Sequence, residues 1–203
     1  MRQIPLPLSA TQGAESIVLS AGIQHVLDRL AKPGDWPFRT AILAGPPRSG
    51  KSLIARWFAA SGLGEAVDDA DRLPEDELFH RWNRAQANGT PLLLVSSALP
   101  GEWKIALPDL ASRLGAALLV EIGPPEDELL AGLIEQHAAR RGLALCDGAA
   151  AYLLPRMVRA HAAAEALVET IDRLSLERKA PVTISLLREA LGEQGGQWQP
   201  RLL

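Results

Sequence analysis

Residues 45–52 read Gly45-Pro46-Pro47-Arg48-Ser49-Gly50-Lys51-Ser52, which fits the phosphate-binding pattern G-x-x-x-x-G-K-[ST]. An apolar run at residues 39–44 precedes this loop and is predicted to be a strand, and a helix is predicted over residues 51–60. In that context the glycines let backbone N–H groups turn toward phosphate oxygens, and the amino end of the helix adds partial positive charge. The sequence therefore predicts a phosphate site; a glycine-rich turn that serves only the fold is the alternative.

Specific side chains of this loop have predicted roles in holding a nucleotide and its metal ion. Lys51 is predicted to reach the β- and γ-phosphates, and the Ser52 hydroxyl to ligate Mg²⁺. The cofactor-binding residues predicted from the loop are Gly45, Pro46, Arg48, Ser49, Gly50, Lys51 and Ser52.

Strand and helix patterns alternate over the first 124 residues. The predicted strands are residues 39–44, 66–67, 92–95 and 117–122, and further helices are predicted over residues 75–88 and 105–114. Each strand pattern ends in small or polar residues, as buried parallel strands do at a ligand-facing edge. The fold class predicted is α/β, with a reduced parallel sheet of about four strands.

Beyond residue 125 the pattern is helical throughout. Helices are predicted over residues 126–141, 148–158, 161–177 and 185–191, with no strand between them. We therefore expect an extended tail at residues 1–15, an α/β domain at 16–124, a small helical lid at 125–192 and a flexible tail at 193–203.

Composition excludes several classes of protein. The 203 residues carry a net charge of −3 with a pI near 5.8, which argues against a dedicated duplex-DNA binder. No apolar run approaches the ~20 residues of a membrane helix, and the amino end lacks the layout of a secretion signal. With Cys146 as the single cysteine, no internal disulfide forms, and the histidines lack zinc-ligand spacing. We expect a cytoplasmic protein without membrane contact.

An acidic pair follows the second predicted strand. Asp68 is predicted to join the Mg²⁺ shell, and Asp69 to polarise a water against the γ-phosphate. The alternative is an acidic helix cap leading into Asp71.

One arginine lies in the helix before the last predicted strand. Arg113 belongs to Leu107-Pro108-Asp109-Leu110-Ala111-Ser112-Arg113-Leu114, and it is a candidate for stabilising charge that develops during phosphate hydrolysis. From the residues alone, an ion-paired surface arginine is the commoner interpretation.

Together, the phosphate loop, the acidic pair, the arginine-bearing helix and the lid resemble the AAA+ ATPases, in the branch of the replication initiator DnaA. Residues 107–114 are similar to the arginine-finger segment of Hda proteins, the DnaA-like regulators that switch the initiator off. Residues 181–191 resemble the end of the DnaA lid. The resemblance covers about residues 36–191 and is nearest to short Hda forms of the alphaproteobacterial type. It implies that Arg113 acts as an arginine finger on a nucleotide held by DnaA.

The front of the chain carries a second resemblance. Gln3-Ile4-Pro5-Leu6-Pro7-Leu8 is similar to the peptide with which Hda proteins bind the DNA polymerase III sliding clamp, its β subunit. By that resemblance Gln3, Ile4, Leu6 and Leu8 are the partner-binding residues. A proline-stiffened segment loses little entropy on docking, and its leucines can enter apolar pockets. A disordered tail with no partner is the alternative.

The chain also departs from the initiator pattern. Only 15 residues separate Ser52 from Asp68, so a strand and its surroundings are expected to be missing. The sensor-1 position falls near Ser97 and the sensor-2 position on Ala162, with Arg159 one turn earlier as a candidate replacement. The resemblance therefore implies binding of ADP or ATP with Mg²⁺ but weak or no hydrolysis by this chain alone. Without a helix-turn-helix after the lid, no direct sequence-specific DNA binding is expected.

Three functions remain open at this point. The favoured one is a negative regulator of replication initiation that binds the clamp and stimulates ATP hydrolysis by DnaA through Arg113. The second is an autonomous small P-loop ATPase or kinase, in which Lys51, Ser52, Asp68 and Asp69 are catalytic. The third, a DnaA-like helicase loader, is disfavoured by the acidic balance.

Overall fold

A four-stranded parallel sheet forms the centre of the protein, whose computed structural model describes residues 17–194. The strands are β1 (Thr40–Ala44), β2 (Glu65–Val67), β3 (Leu92–Ser96) and β4 (Leu118–Glu121). Their order across the sheet is β2-β3-β1-β4, and each neighbouring pair is parallel. The prediction of an α/β fold with a reduced parallel sheet is confirmed.

Within residues 17–194, four α-helices accompany the sheet and four follow it. The first group is α1 (Ala21–Leu30), α2 (Lys51–Ala60), α3 (Glu75–Asn88) and α4 (Pro108–Ala116). The second group, the lid, is α5 (Asp127–Arg140), α6 (Ala149–Leu153), α7 (His161–Arg178) and α8 (Ile184–Glu193). Ser20 and Thr183 start α1 and α8 by accepting a hydrogen bond from the backbone N–H three residues on, as N-cap residues do.

The two central strands, β1 and β3, are buried on both faces, as expected of a parallel sheet covered by helices, whereas the edge strands β2 and β4 are partly buried. Leu43, Leu93 and Val95 pack with residues of α1 and α2, whereas Ile42 and Leu94 pack with residues of α3 and α4. The lid helices enclose a separate apolar cluster. The central strand β1, buried along its whole length, ends directly at the phosphate loop.

A glycine brings the edge strand β2 against β3. A Cβ at Gly64 would lie 2.3 Å from the carbonyl oxygen of Pro91, so no other residue fits without moving the backbone. The next residue, Glu65, donates its N–H to that same oxygen at 2.9 Å. This close approach fixes the strand that leads into the acidic pair.

Two predicted helix boundaries are wrong. The helix predicted over residues 148–158 ends at Leu153. Pro155 lacks an N–H, and its ring would clash with the carbonyl four residues earlier, so the helix stops before it. The helix predicted from residue 105 begins at Pro108, because the fixed φ of proline suits the first turn of a helix. The predicted tails at residues 1–15 and 195–203 lie outside the described residues.

Candidate nucleotide-binding site

The phosphate loop connects β1 to α2 with left-handed backbone at two positions. Gly50 has φ +85° and Arg48 has φ +65°. Such alternation turns successive N–H groups to one side and forms an anion-binding concavity. No side chain caps the amino end of α2, and the buried hydroxyl of Ser49 has no hydrogen-bond partner among the described residues. The loop therefore offers unsatisfied polar groups suited to phosphate oxygens.

Lys51 lies within this loop. Its Nζ donates to the carbonyl oxygens of Gly45 and Pro46, at 2.7 Å each. Burial lowers the pKa of Lys51, while the nearby carboxylates of Asp68, Asp69 and Asp71 oppose that shift. The ammonium is thus held at the loop, poorly solvated and ready to pair with an anion.

A cavity of about 380 Å³ lies between the loop and the lid. One part is polar and formed by loop residues 48–52. Another is apolar and includes Val18, Leu129 and Leu133. The size and the mixed lining suit a small ligand that carries both an apolar ring and an anionic group, as a nucleotide does.

The predicted acidic residues lie at the carboxyl end of β2, with β3 between them and the strand of the phosphate loop. Asp68 and Asp69 are both exposed. Asp69 has φ +48° and precedes a short 3-10 turn, but its side chain makes no capping hydrogen bond. Because parallel strands end at the same edge of the sheet, both residues lie at the edge that carries the phosphate loop. Among residues 17–194, no three metal-ligating side chains cluster, so Mg²⁺ here would take much of its shell from phosphate and water oxygens.

Asp71 follows the acidic pair, and the sequence analysis considered it only as part of an acidic helix cap. One of its oxygens accepts the backbone N–H of Ser97 at 3.3 Å, and the other is buried with no hydrogen-bond partner in the described part of the chain. This contact ties the turn after β2 to the turn after β3, where the sensor-1 position was expected.

Arg113 is engaged within its own fold. It pairs with Asp109, at 2.6 Å between Nη2 and Oδ2, and donates to Asn83 at 2.7 Å. Its guanidinium also lies over the rings of Trp82 and Phe79. The side chain is 26% exposed and lines neither of the two cavities beside the phosphate loop.

Three residues near the expected sensor-2 position lie in different environments. Ala162 is exposed to solvent. Arg159 pairs with Asp127 at 2.6 Å and lines a second cavity of about 480 Å³, on the side of Gly45 and Pro46. His161 is buried and lines both cavities.

The sequence analysis did not assign two lid residues to the site, although both lie at the phosphate loop. His161 is one, and its only signal is its position beside Ala162 at the start of a predicted helix. Glu165, one turn later, pairs with Arg48 at 3.3 Å and so links the lid to the phosphate loop. Nothing in the sequence relates residues 48 and 165.

Comparison with known proteins identifies the lid. Residues 127–191, which comprise most of α5 through α8, match the family model of the lid domain of Hda. Domain III of DnaA from Thermotoga maritima superposes with a TM-score of 0.69 at 13% identity, over 87% of this chain and 94% of that one. The lid is therefore of the Hda type, and the chain has the AAA+ fold of DnaA domain III.

Other relatives agree with this fold. The Thermotoga maritima RuvB branch-migration motor superposes with a TM-score of 0.60 at 19% identity, over 84% of this chain and 68% of that one. DnaA bound to AMPPCP and single-stranded DNA superposes with a TM-score of 0.59 at 17% identity, over 80% of this chain and 66% of that one. At these identities the likeness establishes the AAA+ fold alone.

One relative is similar in sequence over part of its length. An uncharacterized protein of Haemophilus influenzae is 33% identical over 116 residues, which are 56% of this chain and 50% of that protein. The match thus spans half of the relative.

The remaining predictions have different outcomes. None of the helices in residues 17–194 is both long and apolar enough to cross a membrane. Gln3, Ile4, Leu6 and Leu8 lie outside the described residues. The roles of Arg113, Asp69, Asp68 and the loop residues remain predictions.

Proposed function

We propose that this protein is a nucleotide-bound regulator of replication initiation that stimulates ATP hydrolysis by DnaA. The observation that carries the proposal is the Hda lid over residues 127–191, joined to a phosphate-loop core of the DnaA type. One neighbour of that fold is described as DnaA bound to AMPPCP.

The first part of the proposal is that the chain holds ADP or ATP with Mg²⁺. Lys51 and the uncapped amino end of α2 support this part, together with the apolar and polar parts of the cavity. Ser52 and Asp68 are the side chains proposed to hold the metal ion, which would neutralise phosphate charge.

Hydrolysis by the chain alone is proposed to be weak or absent. Ala162 presents a solvent-exposed methyl group at the expected sensor-2 position, and Ser97 lacks a charge at the sensor-1 position. Asp69, proposed to polarise the attacking water, is exposed to solvent. Few groups therefore stabilise charge at the γ-phosphate.

The second part of the proposal is that Arg113 acts in trans. Because it lines neither cavity beside its own loop, it is better placed to serve a nucleotide bound elsewhere. To do so the guanidinium must leave Asp109 and Asn83, which hold it in the isolated chain. A triphosphate in the pocket of DnaA carries more negative charge than one carboxylate, so it competes well for the guanidinium.

The third part is that residues 3–8 bind the polymerase sliding clamp. Gln3, Ile4, Leu6 and Leu8 support it through their likeness to the Hda peptide. Tethering by such a segment would raise the local concentration of Arg113 near DnaA on the same DNA.

The direct test is ATP turnover by DnaA with and without this protein, each with and without clamp loaded on DNA. Stimulation that requires the loaded clamp supports the proposed function and its dependence on the clamp. Absence of stimulation in every combination contradicts the proposed function.

A second candidate is an autonomous ATPase or kinase, favoured by the charge of Asp68 and Asp69 acting on Lys51. This candidate predicts ATP turnover by the protein alone, abolished by Asp69→Asn. The regulator predicts negligible turnover without DnaA.

A further inference from the structure

The lid buries an imidazole beside the phosphate loop without giving it a partner. His161 is only 3% exposed, and within residues 17–194 neither ring nitrogen has a hydrogen-bond partner. Buried polar groups are nearly always paired, so an unpaired ring at a cavity wall points to a ligand.

His161 separates the two cavities that flank the loop. It lines the cavity formed by loop residues 48–52, and it also lines the cavity formed by Gly45 and Pro46. The ring therefore forms part of the wall of both cavities, and a small shift of the lid would expose its buried nitrogens to a ligand.

The helix that carries His161 adds a second donor set. His161 is the first residue of the 18-residue helix α7, which has no side-chain cap and no acidic residue in its first turn. The amino end of such a helix leaves N–H groups unpaired and carries partial positive charge, both of which favour an anion.

Lys51, a charged neighbour of His161, also favours an anionic ligand. Lys51 lies near enough to lower the pKa of His161, after the larger effect of burial, so the free protein favours a neutral imidazole with one N–H to donate. The charged or titratable residues that line the same two cavities are Arg48, Lys51, Arg56, Glu102, Glu121, His137, Arg140, Arg159 and Glu165.

We propose that His161 donates a hydrogen bond from the lid to a phosphate oxygen of the nucleotide held by the loop. The contact supplies a partner for the buried ring and closes the lid over the phosphates. This inference rests on the nucleotide-binding part of the proposed function and extends it to a residue that the expected sensor positions do not include.

A comparison of ADP with adenosine distinguishes a contact between His161 and a phosphate from a role of His161 in lid packing. ADP and adenosine share the base and ribose, but only ADP carries phosphates. We would measure the affinity of the full chain for each by calorimetry. The variants are His161→Phe, which keeps a ring but has no donor, and His161→Gln, which retains one. His80→Phe, at an exposed histidine on α3, is the matched control.

The expected result is a loss of ADP affinity of about tenfold or more for His161→Phe, with adenosine affinity unchanged. His161→Gln should recover part of the loss, and His80→Phe should bind as the parent does. Thermal unfolding without ligand should show His161→Phe at least as stable as the parent, because an unpaired polar ring has been replaced by an apolar one.

Other outcomes overturn the inference. Unchanged ADP affinity in both variants shows that His161 makes no such contact, and an equal loss for ADP and adenosine assigns it to lid packing. If His161→Phe fails to fold, His161→Leu, which also lacks a donor, takes its place, and ADP affinity equal to that of the His80 control then contradicts the inference. Absence of ADP binding by the parent contradicts nucleotide binding as well, whereas failure to stimulate DnaA contradicts only the proposed function.

Discussion

The guanidinium carbon of Arg113 lies 4.1 Å from the centre of the Trp82 ring. Asn83, the next residue of α3, accepts a hydrogen bond from the same guanidinium at 2.7 Å. A residue of α4 is thus held by two neighbours on α3, in addition to the i,i+4 pair with Asp109. If Arg113 works on a partner's nucleotide, these contacts compete with that role.

Asn83→Ala is expected to increase stimulation of DnaA at limiting protein concentration by about two- to fivefold. The variant removes a hydrogen bond to a charged group in a partly exposed setting, worth on the order of 1 kcal/mol, and so eases release of Arg113. Turnover of ATP by DnaA measures the effect, with Asn88→Ala, an exposed position at the end of α3, as control. A fall to the level of Arg113→Ala would mean that Asn83 presents the arginine rather than retaining it.

Combined substitution of Gln3, Leu6 and Leu8 by Ala is expected to abolish binding to the sliding clamp. The leucines would lose the apolar contacts, and the glutamine its paired donor and acceptor. Co-elution of the chain with purified clamp on size-exclusion chromatography measures the loss, and Gln12→Ala serves as control. Unchanged co-elution of the triple variant rejects residues 3–8 as the clamp peptide.

Lys51→Ala is expected to remove the stabilisation that ADP confers. At a free ADP concentration about 100 times the Kd, binding adds about 2.7 kcal/mol to the free energy of unfolding. Differential scanning calorimetry with and without ADP should show this gain in the parent and in Lys104→Ala, whose side chain is exposed. A full ADP-dependent shift of Tm in Lys51→Ala would contradict the role of the phosphate loop.

The stability of the protein without nucleotide is expected to fall as the pH drops from about 7 to 5, in part through two lid histidines. Burial lowers the pKa of His161 and of His137 below the ordinary value of 6.5. As the pH falls, the unfolded chain therefore takes up these protons before the folded chain does. The free energy of unfolding therefore decreases as the pH falls from the ordinary histidine pKa through the lower pKa of the folded state.

Urea unfolding at pH 7.5 and 5.5 measures this effect. His161→Gln should lose less stability between the two pH values than the parent, and the exposed His80→Gln should match the parent. Stability falls, rather than rises, at low pH because a lowered histidine pKa favours the neutral form in the folded state. An identical pH dependence in His161→Gln and parent would show that burial of His161 does not affect its titration.

Much of the sheet could be predicted because its signals are local. The apolar run before Gly45 and the helix that begins at Lys51 follow from neighbouring residues, and the structure has both. Even the three-residue strand β2 is marked by the acidic pair that ends it. The helix predicted over residues 148–158 followed a helical pattern, but Pro155 makes it end at Leu153.

The contacts of the site could not be predicted because they join distant parts of the chain. Arg113 and Asn83 are thirty positions apart, and Arg48 and Glu165 lie in different parts of the molecule. The burial of His161 depends on how the lid packs on the loop, which no pattern in residues 155–165 specifies. Residue identity thus located the phosphate loop, and tertiary packing determined which side chains surround it.

The central claim is that Arg113 completes the nucleotide pocket of DnaA. It is tested most directly by ATP turnover of DnaA on DNA loaded with clamp, in the presence of the parent protein, Arg113→Ala or Arg113→Lys. Arg156→Ala is the matched control, since Arg156 also lies over an aromatic ring, that of Tyr152, but on the lid.

We predict that the parent and Arg156→Ala stimulate turnover. Both Arg113 variants should lose that stimulation by a factor of about 10³ or down to the basal rate of DnaA, while their affinity for ADP is unchanged. Stimulation by Arg113→Ala equal to that of the parent would contradict the account, because Arg113 would then serve only to join α3 and α4.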